Sequence, residues 1–401
     1  MASPSFFESL ATLLPAGSRV LTDESSAEFK ASMNRWTNYD LKVPSAIVQP
    51  ATEEDVATAV RELVSASIPF VPSSGGHSSF SSIGKDGVVI DLSQFTGVEV
   101  DVKNGTATVV GGTLMKELQT ALHPHKHFAG MFPSHETPCL RRKSTYGSIA
   151  VGSGGTVGVI PYYIGGGISA YTPFYGYGCE NIVASTLVTA KGELVQVSES
   201  DTELLWGLSG AGQFLGLVTK ITIKILPYSL LGNKKGERIT GTFAFTVDKV
   251  DAVCAAMAPL MESKNFISAG HFSVALAPPT FQNQVLLVAP QIFATAEEAW
   301  KLFQPLINLY PFMQLVGHST FEKHSDNFDW LRAKGSFKRF TQYGMTGFYA
   351  GNFKELVKLH AELVETCPDA AKSAFTMEWH TPYKGPRVDT AFGMDDVQYW
   401  L

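Results

Sequence analysis

The 401-residue chain is long enough for two domains, or for one large domain with an insert. It carries 31 basic against 37 acidic side chains, a formal charge of −6, and only 17% charged residues, which excludes the basic footprint of a nucleic-acid-binding protein. No apolar run of about 18 residues occurs, and the N-terminus lacks the basic and apolar regions of a signal peptide, so the expectation is a cytoplasmic protein without a membrane partner.

Residues 46–48 form a short β-rich run, and residues 53–67 place Val56, Val60, Leu63 and Val64 on one helical face. Residues 68–71 and 88–92 are β-rich again. Val98, Val100 and Val102 alternate with polar residues up to Asn104-Gly105, and residues 106–110 resume, which predicts a tight hairpin. A helix is expected over 114–122, a second hairpin over 182–189 and 193–197 around Lys191-Gly192, a short helix over 203–208 and a strand over 217–226. Pro227 closes this region. Beyond residues 232–237 strands near 241–246, 267–275, 285–290, 311–316, 344–349 and 372–380 alternate with helices at 248–261, 296–309 and 353–367. That order predicts a second sheet with helices on one face, in an α+β fold.

Glycine is raised, at 36 of 401 residues, and is concentrated in the first half. Ser73-Ser74-Gly75-Gly76-His77-Ser78 directly follows a strand, so its small residues can aim backbone N–H groups at an anion with a histidine beside it. A tight Ser/Gly loop with an incidental histidine is the rival reading. Further glycine-punctuated segments are Gly154-Gly155-Thr156-Val157-Gly158, Gly165-Gly166-Gly167, Tyr175-Gly176, Glu180-Asn181 and Phe214-Leu215-Gly216-Leu217-Val218-Thr219. None fits a Rossmann fingerprint, a Walker sequence or a nucleophile elbow. Cys139, Cys179, Cys254 and Cys367 are too scattered for a zinc or disulfide framework. His123, His125 and His127 have no acidic or cysteine partner near in sequence and read as a solvated helix end, so no metal is expected.

The order of these motifs resembles the FAD-linked oxidases of the vanillyl-alcohol oxidase and p-cresol methylhydroxylase superfamily, and within it the fungal berberine-bridge-enzyme-like branch. The resemblance covers most of residues 40–230 and is looser beyond them. It implies a PCMH-type FAD-binding domain of two α/β subdomains over 1–230, and over 231–401 a substrate domain with an antiparallel sheet covered by helices. It further implies FAD held through Ser73, Ser74, Gly75, Gly76, His77, Ser78, Gly154, Gly155, Thr156, Gly158, Gly166, Gly167, Glu180, Asn181, Gly216 and Val218. In that family the histidine matching His77 is commonly bonded to the flavin; a noncovalent flavin beside His77 is the alternative.

Bicovalent members carry a cysteine where this chain has Gly154 and a histidine where it has Tyr162, so no cysteinyl link is expected, and anion stabilisation at the ring falls to Tyr162, backbone amides or water. Residues 129–150 read as an insert, either a retained intron or a genuine lid, and family members continue past the point matching 396–401, so the substrate domain reads as truncated. On an alternating strand Glu378 and His380 share a face, where they can take a substrate proton or simply bond the domains together. The implied activity is hydride transfer from a small secondary-metabolite substrate to FAD, with O2 as acceptor. A flavin-binding non-redox cyclase or an inactive pseudoenzyme is the second reading.

Overall fold

The computed structural model describes residues 3–78, 81–129, 154–232, 235–323, 325, 333–339, 341–394 and 397–401. Apart from Ala129, the expected insert at 129–150 lies outside the described residues, as does Cys139.

Helix α1 (Pro4–Leu13) starts where the Ser3 hydroxyl accepts from the Phe6 amide, and it buries Phe7 and Leu10. Strand β1 (Arg19–Leu21), helix α2 (Ala27–Ser32) and strand β2 (Ala46–Gln49) follow. Helix α3 (Glu53–Ser65) is set by a reciprocal cap between Thr52 and Asp55. It buries Val56, Ala57, Ala59, Val60 and Leu63, whereas Val64, expected on that face, is exposed. Strands β3 (Phe70–Ser73) and β4 (Val88–Asp91) complete a four-stranded sheet ordered β1-β2-β4-β3, parallel except at β1.

The predicted hairpin is β5 (Thr96–Asp101) and β6 (Thr106–Gly111), followed by α4 (Met115–Leu122) and the short strand β7 (His127–Phe128). Next come α5 (Val159–Ile164), α6 (Thr172–Tyr175), the hairpin β8 (Ile182–Val188) with β9 (Leu194–Val197), α7 (Thr202–Ala211), β10 (Leu217–Lys224) and β11 (Leu226–Pro227). Strands β5, β6, β10, β8 and β9, in that spatial order, form an antiparallel sheet whose buried residues pack on α4 and α5.

The remaining chain builds β12 (Glu237–Thr246), α8 (Val250–Met261), β13 (Ile267–Leu276), β14 (Gln284–Phe293), α9 (Ala296–Ile307), β15 (Met313–Thr320), β16 (Gly344–Met345), α10 (Ala350–Thr366), β17 (Ala374–His380) and β18 (Tyr399–Trp400). Among the described residues these strands form an antiparallel sheet ordered β15-β12-β14-β13-β17-β18-β16. Strand β12 begins four residues before the apolar run that announces it, because Arg238 and Thr240 point a buried polar face away from the helices. The strand expected over 344–349 is confined to two residues.

The two faces of this sheet differ. Phe272, Val274, Met377 and Trp379 pack with Val253, Met257, Phe303 and Phe353 beneath α8, α9 and α10. Alternation puts His271, Ser273, Thr376, Glu378 and His380 on the other face, all buried, and that face meets the glycine-rich half. Arg238 crosses the seam, donating from Nε to Gln291 Oε1 at 2.7 Å and from Nη1 to the Tyr171 hydroxyl at 2.8 Å.

After β17 the chain returns to the first half. Arg387 Nη2 lies 2.6 Å from Glu180 Oε1, the Glu180 side chain being only 2% exposed, and the guanidinium sits 4.8 Å above the Tyr177 ring. The Tyr177 hydroxyl donates to Val397 O at 2.7 Å, and Phe392 lies where a Cβ at Gly166 or Gly210 would collide with it. Replacing Arg387 by methionine leaves a buried carboxylate without its cation, and the expected loss in guanidinium unfolding is about 3 kcal/mol. Adding Glu180→Gln to that variant should recover part of the loss; a single variant within 1 kcal/mol of the parent would show that the pair does not hold the seam.

Candidate active site

The loop that follows β3 is pinched between two segments. On one side, a Cβ at Gly75 would strike the carbonyl oxygen of Thr156, and one at Gly158 would strike the Ser74 hydroxyl. On the other, Gly76 adopts φ +71° and its Cβ position lies 3.2 Å from Arg35 Cδ, while its carbonyl accepts from the Trp36 amide at 3.1 Å. Only glycine permits both approaches, so the Gly75-Gly76 pair follows from the packing.

His77 emerges from this pinch. Its Nε2 is 2.8 Å from Thr156 Oγ1, its ring stacks on Trp36 at 5.4 Å and 19°, and Gly154 opposes it with a Cβ position 3.6 Å from Cε1. Lys338 lies 4.8 Å above the Trp36 ring. Burial, then the charges of Lys334 and Lys338, push the His77 pKa down to about 4, so the imidazole is neutral at pH 7.

Beneath the loop lies a cavity of about 290 Å³ lined by Arg35, Gln49, Ser74, Asp91, Ser93 and Lys334, among others. Asp91 accepts from Gln49 Nε2 at 2.9 Å and from the Ser93 amide at 3.1 Å. The Ser74 hydroxyl, Gln49 Oε1 and Arg35 Nε are buried without a hydrogen-bond partner. A small-residue turn over unspent polar groups, with Arg19, Arg35 and Lys334 against Glu28 and Asp91 in the lining, fits a phosphate-bearing cofactor. A roomier groove of about 650 Å³ opens beside α9 at Glu237, Phe293, Lys301 and His318, and it holds none of the candidate residues.

The second group of candidates meets at the seam. Glu378 on β17 stands opposite His271 on β13, with His271 Nε2 3.8 Å from Glu378 Oε2 and both side chains buried. Tyr162 donates to Ile168 O at 2.9 Å, and its pKa is held well above 10 by burial, then by Tyr175, Tyr163 and Glu378. It remains a neutral donor. His380, two residues along β17, donates from Nδ1 to Thr381 O at 3.1 Å and leaves Nε2 buried with no hydrogen-bond partner. Burial, opposed by that bond, pushes its pKa down to about 4. The hydroxyls of Ser273 and Thr376, directly opposite each other, and the Gln291 Nε2 are also buried without partners.

Other candidate residues make contacts within the protein. Glu180 faces Arg387, and Asn181 Nδ2 donates to the carbonyls of Tyr175 and Tyr177 at 3.1 and 2.8 Å. Gly167 lies against Gly178 and Tyr162, Gly216 against Val188 O, and Val218 is buried in the sheet core. Gly155 O accepts from the Lys116 amide at 3.0 Å, and Ser78 is exposed at the loop's end. Burial, then Glu180, raise the Cys179 thiol to about 12, which keeps it protonated and poorly nucleophilic. His123, which has no acidic partner near in sequence, lies 3.3 Å from Glu322, a residue 199 positions away. His271 and Arg35 were not singled out in the sequence. His271 had a signal, because a polar residue interrupts an otherwise apolar strand on the same face as Ser273.

Residues 44–198 match the family model described as FAD binding domain. An FAD-linked oxidoreductase of Aspergillus ruber is 32% identical over 236 residues, covering 58% of this chain and 43% of that protein. One from Aspergillus fumigatus is 26% identical over 96% of this chain and 80% of that protein. This chain therefore spans less than half the length of the first and most of the second. Among solved structures, Physcomitrella patens BBE-like 1 superposes with a TM-score of 0.75 at 17% identity, covering 98% of this chain and 82% of that one. The 6-hydroxy-D-nicotine oxidase of Arthrobacter nicotinovorans gives 0.72 at 19% identity, over 95% and 79%. The fold is the α+β fold of these FAD-binding oxidases, and the chain is similar in sequence to fungal FAD-linked oxidoreductases. Among the described residues no helix is long and apolar enough to cross a membrane.

Because the folded pKa of His380 is about 4 against 6.5 in the unfolded chain, its neutral form stabilises the fold fully above pH 6.5. That stability is lost as pH falls from 6.5 toward 4, by about 3 kcal/mol for the whole shift. Denaturant titrations at pH 7.5 and 4.5 should show His380→Gln losing less stability over this interval than the parent; equal losses would contradict the assignment.

Proposed function

We propose, for a chain that carries an FAD binding domain and belongs among relatives of the fungal FAD-linked oxidoreductases, that the protein is an FAD-dependent oxidase of a small secondary-metabolite substrate. One juxtaposition supports this reading above the others: a glycine-lined anion nest that ends in a half-buried, neutral histidine. When bound, FAD would supply the redox chemistry, taking a hydride from a substrate C–H at N5 and passing the electrons to dioxygen.

The protein's part is to hold, orient and manage protons. The nest of Ser73 to Ser78 would take the diphosphate, with Gly154 to Gly158 packed behind it. Thr156 occupies Nε2 of His77, which leaves Nδ1 as the nitrogen free to bond the flavin, and neutrality keeps its lone pair available. Gly154 and the protonated Cys179 offer no second link.

At the seam, Glu378 would accept the proton of a substrate hydroxyl, and His271 would hold that carboxylate in place and share the charge. Tyr162, tied to Ile168 O and kept neutral, would fix the near wall. Ser273, Thr376, Gln291 and the Nε2 of His380 are unspent hydrogen-bonding groups on the same buried face. They suit a ligand with several oxygen functions better than a hydrocarbon.

Acid-denatured protein should retain yellow absorbance, and His77→Ala should release it. Release from the parent as well would disprove the covalent link while leaving FAD binding intact. Glu378→Gln should lower the rate of anaerobic flavin reduction by about 10²–10⁴-fold with any substrate that reduces the parent, with a smaller change in affinity. A reduction rate unchanged by that substitution would remove Glu378 from the proton path.

A further inference from the structure

The guanidinium of Arg35 is buried at 5% exposure and is not paired with a carboxylate. Its hydrogen-bond acceptors are both neutral: the Ser73 hydroxyl from Nη1 at 2.5 Å and the Ser81 carbonyl from Nη2 at 2.7 Å. Nε has no partner. The acid that acts on it is Asp91, whose carboxylate is already engaged by Gln49 and the Ser93 amide. Burial lowers the pKa of Arg35 against the pull of that acid. A guanidinium so placed is costly unless an anion completes it.

The surroundings specify that anion. Arg35, Ser74, Gly75 and Gly76 line the cavity of about 290 Å³, and its charged lining also includes exposed Lys334, Arg19, Glu28 and Asp91. The Ser74 hydroxyl, buried without a partner, belongs to the same wall. The stem of Arg35 touches Gly76, so the loop and the cation are held as one piece. The segment carrying Lys334 is itself tied down, by the Gly335 amide donating to Arg35 O at 2.9 Å and by Lys338 Nζ donating to Trp36 O at 2.8 Å.

We propose that Arg35 and Lys334 form a two-cation clamp for the diphosphate of a dinucleotide, Arg35 from below the glycine nest and Lys334 from its mouth. The clamp rests on the FAD reading for the identity of the dinucleotide, but the recognised chemistry is the nucleoside diphosphate. Two positive charges would match the two negative charges of that bridge, and the Ser74 hydroxyl would donate to it. Arg35 lies against Gly76 and Lys334 also acts on His77, so the clamp would hold the diphosphate next to the histidine and leave His77 itself to the ring end.

The test uses the full chain prepared without flavin and titrates it with ADP, FAD and riboflavin, following heat or flavin fluorescence. The parent should bind ADP and FAD, with an affinity that falls as salt rises. Arg35→Gln should weaken both by about 10- to 100-fold and leave riboflavin unchanged, and Arg35→Lys should recover part of the loss. Lys334→Gln, at an exposed position that cannot unfold the chain, should weaken ADP by a few fold and flatten the salt dependence. If Arg35→Gln does not fold, Lys334→Gln decides, and unchanged ADP affinity in either folded variant overturns the clamp. A parent that binds ADP but not FAD would keep the clamp and overturn the flavoprotein reading; a parent that binds neither overturns both.

Discussion

The structure depends on burying a polar sheet face. Seven strands present an apolar side to three helices, which is ordinary, and on the other side Arg238, Gln291, His271, Ser273, Thr376, Glu378 and His380, all shielded from water. Such a face is stable only if what covers it supplies hydrogen bonds. The tyrosines of the first half do so in part: Tyr171 receives Arg238, and Tyr177 supports both His380 and the returning chain. Hence the two halves cannot be treated as independent cores, and Ala269 and Phe293 of the sheet pack within the same apolar cluster as Tyr163 and Ile221.

That dependence explains the route of the last residues. The segment 381–401 leaves β17, crosses to Glu180 and Tyr177, places Phe392 against the two glycines Gly166 and Gly210, and returns to pair β18 with β17. The contacts to Glu180, Tyr177, Gly166 and Gly210 each join residues about 200 positions apart. At the other end of the seam the segment 333–339 performs the same service for Trp36 and Thr37, and so carries Lys334 and Lys338 toward the histidine loop. Charge near the nest thus comes from both halves of the chain, Arg35 from the first and Lys334 from the second, while the backbone that forms the nest comes from the first.

Local order was legible in the sequence where one physical rule acted alone. The Asn104-Gly105 turn and the periodicity of α3 gave their elements to within a residue or two, and the Ser-Gly-Gly-His loop stood out because its residue types suit a nest. The bounds of β12 were obscured because Arg238 and Thr240 break the apolar pattern, and they break it because the face they occupy is polar and buried. Val64 failed for the opposite reason: it is apolar and yet exposed, at the margin of the helical stripe. The partners of Glu378, Glu180 and Arg35 were not legible at all, since 107, 207 and 38 residues separate each from the group it meets.

The unsatisfied groups then acquire a meaning that a single one would lack. Each buried hydroxyl or amide left without a partner costs roughly 1–3 kcal/mol, and an unpaired guanidinium costs more. Among the described residues seven of them fall into two sets, Ser74, Gln49 and Arg35 around the cavity under the nest, and Ser273, Thr376, Gln291 and His380 along one sheet face, while Thr320 and Trp400 lie outside both. Random packing faults would be scattered through the molecule. Two concentrated sets, one cationic beside an anion nest and one neutral beside a buried carboxylate and histidine, are what the proposed binding of a charged cofactor tail and a polar substrate would satisfy.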